Sequence, residues 1–230
     1  MLNATLVFDL DGTLVDTAPD LVAAANHALA DLALPRVPAE TLRNAIGFGA
    51  RRMIEVGLKE TGVTLDSAEI DRLLTRFLAY YEPNIARESR PFEGAVAALE
   101  QFRSEGARLA VCTNKRAALA EQLLAELGLR ALFAAVAGRD TLPVHKPDPG
   151  HLLGTIQMAG GDRTAAVMVG DSGVDIATAR AAAIPSIACT FGYSDVPVAT
   201  YEPDAVIESY AELESAIQRF LPGRAKQTGL

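Results

Sequence analysis

Short, unbroken apolar runs recur along this chain, and each stops abruptly at polar residues. Thr5-Leu6-Val7-Phe8 ends at Asp9. Further runs lie at 108–112, 134–137, 165–169 and 186–189, with a weaker one at 205–207. Continuous apolar runs, as opposed to alternating ones, mark strands covered on both faces. Helical patterns separate them, at 93–105 closed by Gly106, 115–127 closed by Gly128, then 148–159 and 174–183. Strand and helix in alternation predict an α/β fold with a parallel sheet wrapped by helices in three layers.

One connection breaks this rhythm. The first strand ends near Leu10 and the second begins only at about Arg108, far longer than an ordinary crossover. The stretch between carries helical stripes, one of Leu21, Val22, Ala25, Leu29 and Leu32, another of Ile70, Leu73, Leu74, Phe77, Leu78 and Tyr81. It reads as an inserted all-helical subdomain over 16–88, set into a core of 1–15 and 89–230. Arg90-Pro91 is the expected return hinge, because the residue before proline is held extended. The tail from Pro222 to Leu230 is polar enough to fray.

With half its residues hydrophobic and 22% charged, the chain fits neither a disordered protein nor a coiled coil. Its net charge of −8 opposes nucleic acid and anionic lipid. No basic segment precedes a long apolar stretch at the N-terminus, and no run is long enough for a membrane helix. Cys112 and Cys189 both sit in apolar runs and read as buried thiols. The expectation is a cytoplasmic protein without nucleic-acid or membrane partners, a monomer or homodimer.

Polar residues gather where ligands bind in an open α/β sheet, outside the carboxyl ends of the strands. The first strand end carries Asp9-Leu10-Asp11-Gly12-Thr13, the second Thr113-Asn114-Lys115, and the fourth Gly170-Asp171-Ser172-Gly173-Val174-Asp175. A single Asp after a strand is ordinarily a cap or turn residue. Four acids at one edge are different, since like charges about 4 Å apart repel by roughly 4 kcal/mol near a protein surface. A cation or protonation must offset that repulsion, and hard oxygen ligands point to Mg²⁺. His145-Lys146-Pro147-Asp148-Pro149 follows the third strand, where two prolines restrict the loop carrying Lys146. Thr113 and Asn114 read equally as caps of the next helix and as an anion site. Together these parts suit phosphoryl transfer from a small phosphorylated metabolite. Asp9 supplies a nucleophile through an aspartyl-phosphate, and Asp11 a proton for the leaving alkoxide. Lys146, Thr113, Asn114 and Mg²⁺ meet the phosphate oxygens.

Phe8-Asp9-Leu10-Asp11-Gly12-Thr13-Leu14 resembles the first motif of the haloacid dehalogenase-like superfamily in its phosphatase form. Thr113 resembles the second motif, Lys146 the third, and Gly170-Asp171-Ser172 with Asp175 the fourth. The resemblance spans essentially the whole chain and implies a Rossmann-like core with a helical cap. It implies that Asp9 is nucleophile and metal ligand, and that Asp11 is acid then base and lends its carbonyl to the metal. Thr113, Asn114 and Gly12 fall among the phosphate-binding positions, Lys146 bridges phosphate and nucleophile, and Asp171 completes the protein ligands to Mg²⁺. Asp175 and Ser172 support them from behind. Within the superfamily, Asp16-Thr17-Ala18-Pro19-Asp20-Leu21, Ile46-Gly47-Phe48-Gly49-Ala50-Arg51 and Phe191-Gly192-Tyr193 resemble the phosphoglycolate phosphatases. Arg51, just past the glycine turn, is the candidate to face the crevice and meet a substrate carboxylate, and Arg52 is its neighbour on the same helix.

Rival readings are weighed against the same residues. Phosphatases of sugar phosphates, such as N-acetylmuramic acid 6-phosphate phosphatase, and phosphomutases share much of the pattern. A dehalogenase does not need Asp11 as an acid. A silent phosphometabolite sensor is expected to have lost Asp9 or Asp11. A cysteine phosphatase fails because the sixth residue after Cys112 is Ala118 and after Cys189 is Asp195. Gly170-Asp171-Ser172-Gly173 lacks the further glycine of a serine-hydrolase turn, Val174 standing in its place.

Overall fold

The computed structural model describes residues 3–221. The sequence expectation for 222–230 therefore lies outside the described residues. Strands β1 (Thr5–Phe8), β4 (Arg108–Cys112), β5 (Ala135–Ala137), β6 (Ala166–Gly170), β7 (Ser186–Cys189) and β8 (Ala205–Ile207) form one six-stranded sheet. Its order is β5-β4-β1-β6-β7-β8 and every pair is parallel. β1 lies at the centre, with Leu6 opposite Leu109 on one side and Val167 on the other.

Both faces of the sheet are covered, which is why the runs are continuous. Leu6, Phe8, Leu109, Val111, Val167 and Val169 face one apolar core, while Val7, Ala110, Cys112 and Met168 face the other. Helices α7 (Pro149–Met158) and α8 (Gly173–Ala182) cover the second face. Helices α5 (Ala95–Ser104), α6 (Ala117–Glu126) and α9 (Leu213–Gln218) pack against the first. Each large apolar side chain buried this way contributes roughly 1.5–3 kcal/mol.

The long connection after β1 is helical: α1 (Ala18–Leu29), α2 (Ala39–Arg43), α3 (Ala50–Glu60) and α4 (Ser67–Tyr81) pack on one another. Two crossings join them to the sheet. Short strands β2 (Val15–Asp16) and β3 (Arg90–Pro91) pair antiparallel there, with Val15 opposite Pro91 and Asp16 opposite Arg90. The buried Asp20 carboxylate ties the crossings again, accepting from Ser89 N at 2.8 Å, Ser89 Oγ at 2.7 Å and Glu88 N at 3.0 Å.

Several boundaries differ from the sequence expectation for identifiable reasons. α5 begins at Ala95, not 93, because Gly94 takes a left-handed φ of +80°. α6 begins at Ala117 because the Lys115 carbonyl is taken by Arg139 N, in the neighbouring loop, and not by a helical partner. Ala165 belongs to the turn before β6. Leu32, expected in the α1 stripe, is exposed because the chain has already left the helix in a short 3₁₀ turn. On α4, Leu73, Phe77 and Tyr81 are buried, whereas Leu74 and Leu78 are only half-buried because they line a cavity.

Candidate active site

The carboxyl edge of the sheet opens into a cavity of about 360 Å³. Its floor is Asp9 and Asp11 after β1 and Thr113, Asn114 and Lys115 after β4. Its roof comes from the inserted helices, with Gly47, Gly49 and Arg51 at one side and Leu74, Phe77, Leu78 and Tyr81 of α4 at the other. Sheet topology explains the convergence: β1 sits between β4 and β6, so their three ends point to one place.

Asp9 is almost fully buried, and its Oδ1 lies 2.9 Å from Lys146 Nζ. The same ammonium donates to Asp175 Oδ1 at 2.6 Å. Asp175 Oδ2 in turn accepts from Ser172 Oγ at 2.6 Å and Ser172 N at 3.1 Å, closing a capping box at the start of α8. Asp171 Oδ1 accepts from Thr13 Oγ1 at 2.8 Å and its Oδ2 from Tyr193 N at 2.7 Å. Asp9, Asp171 and Asp175 each present an oxygen within 4.8 Å of the others.

This crowding has an electrostatic signature. Burial pushes the Asp171 carboxyl up to about 8, with the charges of Asp175 and Asp9 adding to it. Burial also pushes Asp9 up to about 6, Lys146 opposing and Asp175 reinforcing the rise. For Lys146, burial works against the charge, but Asp175 and Asp9 overcome it and hold the ammonium above the ordinary lysine range. Three buried acids against one lysine leave excess negative charge among oxygen donors only. A hard divalent cation fits that set, whereas a soft metal wanting sulfur or imidazole does not. Both oxygens of Asp175 are already engaged by Lys146 and Ser172, while among the described residues the Asp9 carboxylate accepts no hydrogen bond beyond its ion pair.

The remaining expected residues are placed as follows. Thr113 is buried, and its Oγ1 accepts from Lys115 N at 3.2 Å, leaving its own proton to donate. Asn114 donates to the Lys146 carbonyl at 3.1 Å, so its amide braces the Lys146 loop. Neither residue caps α6, contrary to that sequence reading: Asp140 Oδ1 reaches Ala117 N at 2.7 Å from the loop after β5. Gly12 N, expected to face phosphate, is donated to Val15 O. The need for glycine there is spatial: φ is +85°, and a Cβ would stand 2.4 Å from Asp171 Oδ2. Arg51 lines the cavity, but its guanidinium is paired with Asp71 of α4 and lies 3.9 Å from Glu55. Arg52 pairs with Glu55 as well.

A model of the haloacid dehalogenase-like hydrolases matches residues 6–189. The chain belongs to this family. Among its haloacid dehalogenase-like relatives, the phosphoglycolate phosphatase of Agrobacterium fabrum is 47% identical over 94% of this chain and 93% of its own length. That of Mesorhizobium japonicum is 49% identical over 93% of this chain and 94% of its own. The crystal structure of a predicted phosphoglycolate phosphatase from Haemophilus somnus superposes with a TM-score of 0.87 at 30% identity, covering 94% of this chain and 98% of that one. With these relatives inside the hydrolase family, the chain is a phosphatase with a parallel α/β core and a helical cap.

Lys115 is the largest omission from the sequence reading. Its ammonium donates to Asp11 Oδ1 at 3.0 Å, Asp11 Oδ2 at 3.2 Å and Tyr81 Oη at 2.8 Å, and it sits 4.7 Å above the Tyr81 ring. Burial opposes its charge, but Asp11 and Tyr81 hold it above the ordinary range. The side chain thus joins core, catalytic loop and cap. Its position directly after Thr113-Asn114 was the available signal. Tyr193, whose amide braces Asp171, also donates its hydroxyl to Asp16 Oδ1 at 2.6 Å in the first crossing.

Proposed function

We propose that this chain is a Mg²⁺-dependent phosphomonoesterase whose substrate is 2-phosphoglycolate, released as glycolate and inorganic phosphate. The observation that carries the reading is Asp9, held against Lys146 on the floor of the same cavity that Asp11 lines. The substrate is taken from relatives named phosphoglycolate phosphatase at 47% and 49% identity over more than nine-tenths of the chain. Asp9, Asp171 and the Asp11 carbonyl would hold Mg²⁺, with Asp175 and Ser172 supporting them. When bound, Mg²⁺ supplies positive charge to phosphate oxygens and offsets the crowded carboxylates.

A carboxylate oxygen of Asp9 attacks phosphorus, and the bond from phosphorus to the glycolate oxygen breaks. Asp11 gives its proton to that leaving oxygen, so glycolate departs neutral at its hydroxyl. Lys146 and the Thr113 hydroxyl face the phosphoryl oxygens as charge redistributes. In the second step Asp11, left as a carboxylate by the first, takes a proton from water. The water oxygen attacks phosphorus, the acyl-phosphate bond breaks, and Asp9 is regenerated. The helices over the cavity exclude bulk water, which keeps the aspartyl-phosphate for the intended attack.

Both cysteines are buried and unpaired, which suits a reducing cytoplasmic setting. No helix among the described residues is long and apolar enough to cross a membrane. The test is phosphate release from a panel of phosphorylated metabolites. The highest kcat/KM is expected for 2-phosphoglycolate. A preference for N-acetylmuramic acid 6-phosphate or a hexose phosphate would replace this reading with a sugar-phosphate phosphatase.

A further inference from the structure

Four cationic side chains line the cavity: Arg51, Lys115, Arg116 and Arg139. Two of them have their charge offset within the protein. Arg51 is paired with Asp71 and Glu55, and Lys115 is bound to Asp11. Lys146, beneath the floor, is held by Asp9 and Asp175. Arg116 and Arg139 differ: among the described residues neither guanidinium has a hydrogen bond, an ion pair or an aromatic ring as partner. Both are exposed to the cavity mouth. In a chain of net charge −8, two uncompensated guanidinium groups on the wall of the catalytic cavity form a local positive field at its entrance.

Their proximity is built into the backbone. Arg116 follows β4 and Arg139 follows β5, and the two loops are laced together. Arg139 N donates to Lys115 O at 2.8 Å, and Ala117 N donates to Asp140 Oδ1 at 2.7 Å. Gly138 allows this approach, because a Cβ there would stand 2.3 Å from Ala117 N. The nearby Asp140 carboxylate is directed at Ala117 N.

We propose that Arg116 and Arg139 together seat the distal carboxylate of the substrate, and so set its specificity. The inference rests on the phosphomonoesterase reading above and deepens it. Phosphate, bound at Asp9 and Lys146, is common to every ester, so discrimination has to come from groups farther out. A planar guanidinium meets a carboxylate with two parallel hydrogen bonds, a geometry that a neutral hydroxyl cannot reproduce. A free guanidinium can do so without first breaking an ion pair, which Arg51 cannot.

The experiment compares Arg116→Ala, Arg139→Ala and the double variant with wild type. The probes are two esters of matched size, 2-phosphoglycolate and 2-hydroxyethyl phosphate, which replaces the carboxylate by a neutral hydroxymethyl. The double variant should lose about ten- to a hundredfold in kcat/KM on the acid, and less than about threefold on the neutral ester. Most of the loss should lie in KM, and inhibition by glycolate should weaken in parallel, a readout independent of turnover. Both residues are exposed, so Tm should stay unchanged. Equal losses on the two esters would overturn the inference and leave the phosphoglycolate reading standing. So would the absence of any loss, or a selective loss that appears in Arg51→Ala alone. If wild type ignores 2-phosphoglycolate but hydrolyses another acidic ester such as 3-phosphoglycerate, the substrate reading falls. Selective damage to that ester in the double variant would then still support the arginine pair.

Discussion

Replacing Asp171 with Asn should stabilise the metal-free protein while destroying its response to Mg²⁺. The reason lies in the charge count at the sheet edge. Metal-free, the carboxyl titrates near 8 in the fold against an ordinary 3.8, because it is buried beside Asp175 and Asp9. At about 1.4 kcal/mol per pH unit, forcing it to ionise costs the fold at most on the order of 6 kcal/mol. Relaxation of the neighbouring acids absorbs part of this, leaving roughly 2 kcal/mol for the substitution to recover. An amide at 171 still accepts from Tyr193 N, and its NH₂ can donate to Thr13 Oγ1, so packing survives. For a domain of this size about 2 kcal/mol raises Tm by roughly 4–8 °C in chelator at pH 8. Wild type should gain a comparable amount from Mg²⁺, since ligand at a hundred times its Kd adds about 3 kcal/mol. The sign with pH follows from the same raised values. Between about pH 4 and 8 the folded chain binds more protons at Asp9 and Asp171 than the unfolded chain does. Metal-free stability therefore falls as pH rises through that window, and Asp171→Asn should flatten the fall between 6 and 8. Calorimetry in EDTA and in Mg²⁺ across pH reads all of this. A variant that melts below wild type in EDTA, or keeps the Mg²⁺ shift, would refute the reasoning.

Three further outcomes are expected. Asp9→Asn should fold and melt at or above the wild-type temperature in EDTA, yet lose several orders of magnitude in kcat; a tenth of wild-type turnover would sink the covalent mechanism. Lys115→Met should act oppositely to Asp171→Asn, because it removes the partner of the half-buried Asp11 carboxylate; a loss of about 1–2 kcal/mol, or roughly 2–8 °C in Tm, is expected along with reduced kcat, and unchanged melting would show the pair to be dispensable. Chelation should abolish phosphate release and Mg²⁺ restore it, because two carboxylates and a carbonyl bind the ion only modestly; full activity after exhaustive chelation would contradict the metal assignment.

What was legible in the sequence was whatever depends on neighbours along the chain. The strands announced themselves because both sides of each run are apolar, and the insertion because no crossover is so long. The positions of Asp9, Asp11 and Asp171 were readable because each stands within three residues of the end of an apolar run, and parallel strands bring such positions to one edge. Side-chain partnerships across the fold were not readable. Asp71 neutralises Arg51 from twenty residues away in a different helix, and Asp140, not Thr113 or Asn114, meets the start of α6 from a different loop. Lys115 looks from its neighbours like any solvated lysine, and its partners, Asp11 and Tyr81 at the end of α4, reach it only through the fold. The arginines were equally silent, since a free guanidinium and a paired one have the same letter.

The crossings between sheet and insertion are tied side by side twice, by the β2–β3 ladder and by Asp20 gripping Ser89. Two independent tethers would let the helical lobe swivel and wander. A flat ribbon of two bound strands flexes across its thin dimension and resists both shear and twist, much as a strap hinge does. The two crossings are thereby held to one another, so neither can slide past its neighbour without breaking the ladder or the Asp20 contacts. The placement of α4 over the strand ends is fixed through both crossings together and not through either alone.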